Sequence, residues 1–424
     1  MIELFDFQKK VLEDTKTQNK VAYYLDMGLG KTFVGSEKAI SLGKNILVIC
    51  QKSKVEDWIN HFANYYLDYD CAAFDLTKYK EIEDYFINMD LGQLCIGIIN
   101  YELAFRRPEL SKLKDFTLIL DESSMIQNEK AKRSKFILNK LFPSNVILLS
   151  GTPTSGRYER LWSQLHLLGW DIDKKLFWNH YVDFHYEEND EGFPILIIDG
   201  YKNEERLKNK LRTHGAVFMK TEEVFDLPEQ LFNEVKVNVS KEYRKFKKDR
   251  VITINDKELV GDTILTKMLY ERMLCGQYNQ EKIEALTDLL ESTEDRLIIF
   301  YNFNEELRII EDICINLDKP ISIVNGQEKD LSCYEEYDNS VTLIQYQAGA
   351  MGLNLQKANK IIYFTPTLSS ELFEQSKKRT HRIGQKSNCF YYELICKGSI
   401  EERIYQTLAM RKDYTDKLFE EDEE

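Results

Sequence analysis

Proline is scarce in this sequence, 7 among 424 residues, and glycine stops at 19, so neither a collagen-like repeat nor a low-complexity chain is present. Long hydrophobic runs are missing as well. No stretch of about 18 apolar residues occurs, which leaves no membrane span. The opening MIELFDFQKK passes straight into a charged helical pattern instead of a signal peptide, so a cytoplasmic protein with no membrane partner is expected. The eight cysteines (Cys50, Cys71, Cys95, Cys275, Cys314, Cys333, Cys389 and Cys396) form no CxxC and stand beside no histidines at zinc-finger spacing. A disulfide framework and a structural zinc are therefore excluded, and reduced, mostly buried thiols are expected. An excess of positive charge is also lacking. Lys+Arg 57 against Asp+Glu 71 gives a net charge of −14, which excludes a protein that coats nucleic acid with its whole surface but leaves room for a local basic groove.

What is present is ample core material: 43% hydrophobic and 12% aromatic residues rule out bulk disorder. The length, set against about 150 residues per domain, predicts two or three domains. Short β-rich runs alternate with longer helical stretches in the first half: NILVIC (45–50), LCIGIIN (94–100), FTLIL (116–120) and NVILLSG (145–151). The rhythm resumes in RLIIFYN (296–302), ISIVNG (321–326), VTLIQY (341–346) and NKIIYF (359–364). Near-continuous apolar strands between helices are the pattern of parallel sheets buried on both faces. The fold class is thus α/β with two tandem lobes, 1–225 and 279–424, each a parallel sheet flanked by helices. A polar, helix-prone stretch at 226–278, holding the basic decapeptide KEYRKFKKDR (241–250), is expected as a helical connector and protrusion. The last residues, KLFEEDEE, form an acidic tail.

Chemistry concentrates first in LDMGLGKT (25–32), which follows the apolar VAYYL and precedes the helix-compatible FVGSEKAISL. A strand, a glycine-bearing loop and a helix in that order make a phosphate-binding loop, although the strict pattern would have glycine where Leu25 stands. Gly28, Leu29 and Gly30 would curl backbone N–H groups around phosphates at the positive end of a helix. Lys31 supplies a cation, and Thr32 a hydroxyl ligand for Mg²⁺. About ninety residues on, LILDESS (118–124) ends a strand in two carboxylates, where parallel sheets bind ligands. Asp121 would hold Mg²⁺, and Glu122 would orient or deprotonate the attacking water.

With these two sites in order, the chain resembles a superfamily-two helicase, and within it the Swi/Snf-type DNA-dependent ATPases. Besides LDMGLGKT and DESSMIQN, the resemblance rests on Phe7-Gln8, NILVICQKSKVEDWINHF (45–62) with Trp58, INYEL (99–103), LLSGTPTSGRYERLWSQLHLL (148–168), LRTHGAVFMKTEEVFDLPEQ (211–230), AGAMGLNLQKANKIIYF (348–364) and QSKKRTHRIGQ (375–385). It implies two RecA-like lobes, ATP and Mg²⁺ as cofactors, and DNA as partner, double-stranded or branched in preference to single-stranded DNA or RNA. The resemblance also implies a compact bacterial or phage-like member, with replication or recombination proteins as further partners. Departures from the family pattern fall at Gln345, Tyr346, Ala350 and Asn325, and in the absence of a tryptophan from FTPTLSSELFEQ (364–375). They bear on DNA tracking rather than on ATP hydrolysis.

The resemblance assigns roles residue by residue. Gln8 offers one acceptor and two donors for the adenine edge. Ser150 and Thr152 in SGTP would relay the state of the γ-phosphate, with Gln375 and Gln385 bounding the second-lobe coupling segment. Gly352 would contact the nucleotide through its backbone. Arg379 and Arg382, three apart, would share one helix face and reach the γ-phosphate from the second lobe, as catalytic residues alongside Lys31 and Glu122. Lys52, Ser53, Asn100, Tyr101, Lys245, Lys247 and Lys248 are the expected nucleic-acid contacts. The function implied is an ATP-driven DNA translocase or helicase. A strand-separating helicase on single-stranded DNA or RNA stands as one alternative, and a nucleotide-switched protein that docks on a polymerase or replication partner as another.

Overall fold

The structure, a computed structural model, describes residues 3–66, 69–188, 192–254, 257–349 and 353–419. The chain divides into two compact units between Val224 and Phe225, and the residues from Asp413 onward group with the first. Among the described residues no helix is long and apolar enough to cross a membrane, and all eight cysteines are free thiols.

The first unit is built on β1 (Lys20–Leu25), β2 (Ile46–Cys50), β3 (Cys71–Asp75), β4 (Leu94–Asn100), β5 (Thr117–Asp121) and β6 (Asn145–Leu149), followed by the hairpin strands β7 (Val182–Glu188) and β8 (Pro194–Tyr201) and by β9 (Ala216–Met219). Seven of them form one sheet in the order β3-β4-β2-β5-β6-β1-β9, parallel throughout. Val21 to Leu25, Ile46 to Cys50 and Leu118 to Leu120 are all sealed from solvent. Those runs carry no alternation because helices cover both faces, and each buried aliphatic side chain contributes about 1.5–3 kcal/mol. Because β5, β6 and β1 are neighbours and parallel, the loops that follow them leave the same sheet edge side by side. Register fixes their proximity: Asp121 lies opposite Leu149, and Leu149 opposite Tyr23.

The second unit contains β10 (Gln230–Asn238), the hairpin β11 (Val251–Ile254) with β12 (Lys257–Val260), then β13 (Leu297–Tyr301), β14 (Ile321–Val324), β15 (Val341–Gln345), β16 (Lys360–Tyr363) and β17 (Cys389–Lys397). Its six-stranded sheet runs β10-β17-β16-β13-β15-β14 and is again parallel. The stretch 226–278 departs from the helical connector expected there. Its first strand, β10, is a sheet member paired with β17 from Gln230↔Cys389 to Asn238↔Lys397. Tyr243, Phe246, Ile252, Leu259, Leu274 and Cys275 from the same stretch belong to the second unit's core. Half its side chains being polar, β10 conceals a strand at the sheet's edge, where one side of the ladder needs no apolar cover.

Candidate active site

Three loops from the carboxyl edge of the first sheet meet at one place. After β1, the chain turns through Gly28 (φ +90°) and Gly30 (φ +72°), and Gly30 caps the helix Lys31–Ser41. Left-handed backbone at Gly30 requires glycine, and space does too: a Cβ there would come within 2.4 Å of Gln8 Nε2. The result is a glycine-bearing loop that runs into a helix N-terminus, the arrangement that suits phosphate. Lys31 Nζ donates to the carbonyls of Leu25 (3.0 Å) and Asp26 (3.4 Å). Gly151, in the loop after β6, lies alongside: a Cβ on it would stand 3.2 Å from Lys31 Nζ. Thr32 follows in the first turn of the helix, partly exposed.

Gln8 is buried in the helix Asp6–Asp14. Its Oε1 accepts from Phe5 N (3.0 Å), and its Nε2 donates to Leu29 O (3.0 Å). One lone pair and one N–H remain for a base edge, so the glutamine props the phosphate loop and still presents a donor and acceptor. Lys38, on the phosphate-loop helix, donates to Thr15 O (2.7 Å) and Lys16 O (3.2 Å), tying the two helices together. Asp26 anchors the loop from the other side, with Oδ2 accepting from Thr221 Oγ1 at 3.0 Å.

The loop after β5 carries the acids. Burial pushes the Asp121 carboxyl above its ordinary value, while the Trp58 indole and the Lys31 and Lys54 ammoniums draw it back. Trp58 Nε1 donates to Asp121 Oδ2 at 2.9 Å. Its helix, Val55–Tyr65, is joined to the phosphate-loop helix by the contact of His61 Nε2 with Ser36 Oγ at 3.0 Å. Glu122 adopts φ +51°, a left-handed conformation that costs a non-glycine residue about 1 kcal/mol and marks a position held by its surroundings. Tyr101 supplies part of that hold: its hydroxyl donates to Asp121 O (2.9 Å) and Glu122 O (3.4 Å). Tyr101 is fully buried and Asn100 nearly so. The expectation that they contact nucleic acid is therefore corrected: Tyr101 supports the acidic loop from beneath, and Asn100 Nδ2 donates to Glu102 Oε2 at 2.9 Å.

The SGTP loop after β6 is tied to the acidic loop through Gln164. Ser150 Oγ accepts from Thr152 N at 3.1 Å, and Thr152 Oγ1 is buried with no partner among the described residues, a hydroxyl left for a ligand in this cradle. Gln164, fully buried, bonds the three loops' supports together. Its Oε1 accepts from Ser123 Oγ (2.7 Å) and Tyr24 OH (3.0 Å), and its Nε2 donates to Pro153 O (2.8 Å). Ser123 adjoins Glu122 and Pro153 adjoins Thr152, so a shift in either loop strains the glutamine. Sequence reasoning missed Gln164, the indole bond of Trp58 and the Asp26–Thr221 anchor. For Gln164 a signal existed: at helical spacing it falls on the apolar face of Leu161, Leu165 and Leu168.

Lys52 and Ser53 lie exposed in the short 3₁₀ helix Lys52–Lys54. In the second unit, the helix Lys241–Asp249 buries Tyr243 and Phe246 and leaves Arg244, Lys245, Lys247 and Lys248 in solvent, a continuous basic face. Lys247 Nζ reaches Gly398 O at 3.3 Å. Gly352 and Ala350 lie outside the described residues.

The arginine pair does not share a helix face as expected. The helix Ser370–Lys377 ends first, and the chain continues in turns closed by Arg379 N→Ser376 O and Gln385 N→Arg382 O. The two arginines consequently differ in surroundings. Arg379 is buried and its Nη1 donates to Leu353 O at 3.4 Å. Arg382 is half-buried, its guanidinium has no hydrogen-bond or ion-pair partner among the described residues, and burial lowers its affinity for its proton. Gln385 is spent on the backbone: Nε2 donates to Ala358 O (3.0 Å) and Gln356 O (3.1 Å), and Oε1 accepts from Lys386 N and Ser387 N. It locks the loop that follows the helix Ser370–Lys377. Gln375 is buried, with Nε2 on Glu371 Oε1 at 3.4 Å and Oε1 unpartnered among the described residues.

Among the described residues, one group of side chains elsewhere has metal-ligand spacing: Cys275, Cys396 and Glu401. Lys282 Nζ, itself buried, lies 2.6 Å from Glu401 Oε1 and takes the place a cation would have. Burial works against the Lys282 ammonium, yet Glu401 together with Cys396 and Cys275 raises its affinity for its proton above the ordinary value, while burial keeps Cys275 protonated. This is a buried ion pair, not a metal centre.

Comparison with known proteins agrees with the site. Residues 14–284 match the SNF2-related domain and residues 281–384 the helicase conserved C-terminal domain. The chain is similar to the SWI/SNF-related matrix-associated actin-dependent regulator of chromatin subfamily A member 1 of Mus musculus, 26% identical over 437 residues, covering 91% of this chain and 40% of that protein. It is likewise similar to the ISWI chromatin-remodeling complex ATPase ISW1 of Saccharomyces cerevisiae, 25% identical over 447 residues, covering 93% of this chain and 38% of that protein. Among solved structures, the Sulfolobus solfataricus SWI2/SNF2 ATPase core in complex with dsDNA aligns at a TM-score of 0.45 and 20% identity, over 98% of this chain and 92% of that one. The chain spans about two fifths of the length of the curated relatives it matches. With a phosphate loop, a strand-end acid pair and both domain matches in chain order, the chain belongs to the SNF2-related family of superfamily-two, Swi/Snf-type proteins.

Proposed function

We propose that this chain hydrolyses ATP and couples the hydrolysis to movement along DNA, with duplex or branched DNA as its track. The observation that carries the reading is the meeting of Lys31, Asp121 and Glu122 at one edge of one sheet, with Trp58, Tyr101 and Gln164 holding the acids in place. ATP and Mg²⁺ fit the residues present. The Gly28–Gly30 loop and Lys31 would hold the β- and γ-phosphates, Gln8 the adenine edge, and Thr32 and Asp121 the metal, which when bound supplies charge neutralisation at the transferring phosphoryl group. Glu122 then accepts the proton of the attacking water, and Thr152 and Ser150 report the phosphate's presence to the loop after β6. Arg382, whose guanidinium no group among the described residues engages, is the arginine we assign to charge developing on the γ-phosphate; Arg379 positions the segment at Leu353.

The duplex preference draws on the relatives named for chromatin, whose DNA is double-stranded. Contacts run to the sugar-phosphate backbone from Lys52, Ser53 and the basic face of the helix Lys241–Asp249, which carry no base information. The test is ATP turnover of the full chain with duplex DNA, single-stranded DNA and RNA side by side at one salt concentration. Greatest stimulation by duplex supports the reading. Stimulation by single strands alone would replace it with a strand-separating helicase, and none by any nucleic acid with a nucleotide-switched binding protein.

A further inference from the structure

The second unit carries an open cavity of about 500 Å³ that takes no part in the function proposed above, a volume within the range of small-ligand sites. Its floor is the face of β10 and β17 where Glu234 lies directly opposite Glu393, flanked by the pairs Phe232↔Tyr391 and Lys236↔Ile395. Like charges directly across a sheet destabilise it. Neighbouring charges do not resolve the conflict evenly. Lys236 pairs with Glu234 at 2.6 Å, Lys377 pairs with Glu374 at 2.6 Å, and Glu402 accepts from Gly398 N at 3.0 Å. The Glu393 carboxylate has no hydrogen-bond or ion-pair partner among the described residues, and Lys412 stands at the same cavity. Burial, with Glu234 adding to it and Lys377 opposing, pushes its carboxyl up to about 7. The walls suit a cation as well: Lys377 Nζ already sits 4.9 Å from the Phe373 ring centre and 5.6 Å from that of Phe232. Tyr405 Oη, buried and unpartnered among the described residues, completes an unsatisfied polar set at the cavity.

We propose that this cavity binds a small organic cation, an ammonium or guanidinium on a short alkyl or aryl body, with its charge against Glu393 and Glu234 and its body against Phe232 and Phe373. A metal ion does not suit the place. Among the described residues these carboxylates do not converge in threes at metal-ligand distance.

Isothermal titration of the full chain with agmatine and with benzylamine, at constant ionic strength and with ammonium chloride as control, tests this. One site per chain is expected for each probe, with affinity rising between pH 6 and pH 8 as Glu393 ionises. Glu393→Gln should weaken both probes at least tenfold without lowering the melting temperature, because the like-charge pair disappears with it. Phe232→Ala, at a ring 45% exposed, should weaken benzylamine more than agmatine and provides a second route if the first variant folds poorly. ATP turnover should be unchanged in both. Absence of binding, equal heats from ammonium chloride, or affinity indifferent to both substitutions would overturn the proposal.

Discussion

Replacing Tyr101 with phenylalanine separates two roles for the residue. The ring stays in the core, where it is fully buried, and only the hydroxyl that donates to Asp121 O and Glu122 O is lost. Removing one donor from a buried pair costs about 1–3 kcal/mol. For a unit of this size that is about 2–4 °C in melting temperature per kcal/mol, a drop of several degrees. Because the freed carbonyls belong to the two acids themselves, and Glu122 already sits at φ +51°, the loosened loop misplaces the carboxylate. If half the lost energy appears in the transition state, turnover falls about two- to tenfold, since 1.36 kcal/mol is a factor of ten. Calorimetry, steady-state ATP turnover and DNA binding by fluorescence anisotropy should be read on the same preparation. Lower turnover and melting temperature with unchanged DNA affinity are expected. A normal melting temperature and basal turnover with weakened DNA binding would refute the supporting role and return Tyr101 to a nucleic-acid interface.

Arg382→Ala should keep ATP affinity nearly intact and lower DNA-stimulated turnover by about 10³–10⁵, the usual worth of an arginine acting on a transferring phosphate, with lysine a poor rescue; lost DNA binding at normal turnover would relocate the residue. Changing Lys245, Lys247 and Lys248 together to Glu should weaken DNA binding for every sequence alike and reduce the slope of log K against log salt by up to about 2.7, or roughly 0.9 per phosphate contact; an unchanged slope would leave them a solvated face. Glu393 supplies a pH dependence. Its carboxyl, raised from 4.5 to about 7, keeps in the folded state a proton that the unfolded chain releases above about pH 4.5. Stability therefore falls as pH rises from about 4.5 to 7. The fall is on the order of 1–2 kcal/mol after allowing for partial exposure and for Glu234, Lys236, Glu374, Lys377, Glu402, Tyr405 and Lys412 around it. Denaturant unfolding at pH 5 and pH 7.5 should show this slope in the wild type and a flatter one in Glu393→Gln.

Strands whose burial is complete were legible because nothing but apolar residues survives between two helical layers: β2, β4, β5 and β6 fall on NILVIC, LCIGIIN, FTLIL and NVILLSG, and β13 to β16 on their second-half counterparts. The edge strand β10 was not, although β14, at the opposite edge, was read from ISIVNG. QLFNEVKVN has polar side chains facing water and read as connector, yet its backbone pairs along nine positions with β17. The phosphate loop and the acids were legible because phosphate and metal chemistry restrict residue type at fixed local spacing. The residues that hold those acids came from distant segments, Trp58 from 63 positions away and Gln164 from 41, a closeness that only the parallel sheet creates. The arginine pair failed in the opposite direction: a spacing of three implies a shared face only while the helix lasts, and it ends at Lys377.

The account rests on Glu122 as the group that activates water while Lys31 and the glycine loop bind phosphate. ATP binding and duplex-stimulated turnover of Glu122→Gln, measured beside Lys31→Ala, test that division most directly. Glu122→Gln should bind ATP with near wild-type affinity and fail to turn it over, whereas Lys31→Ala should lose both. Wild-type turnover in Glu122→Gln would make the residue an ordinary turn acid and contradict the assignment of the chemistry to this edge of the sheet.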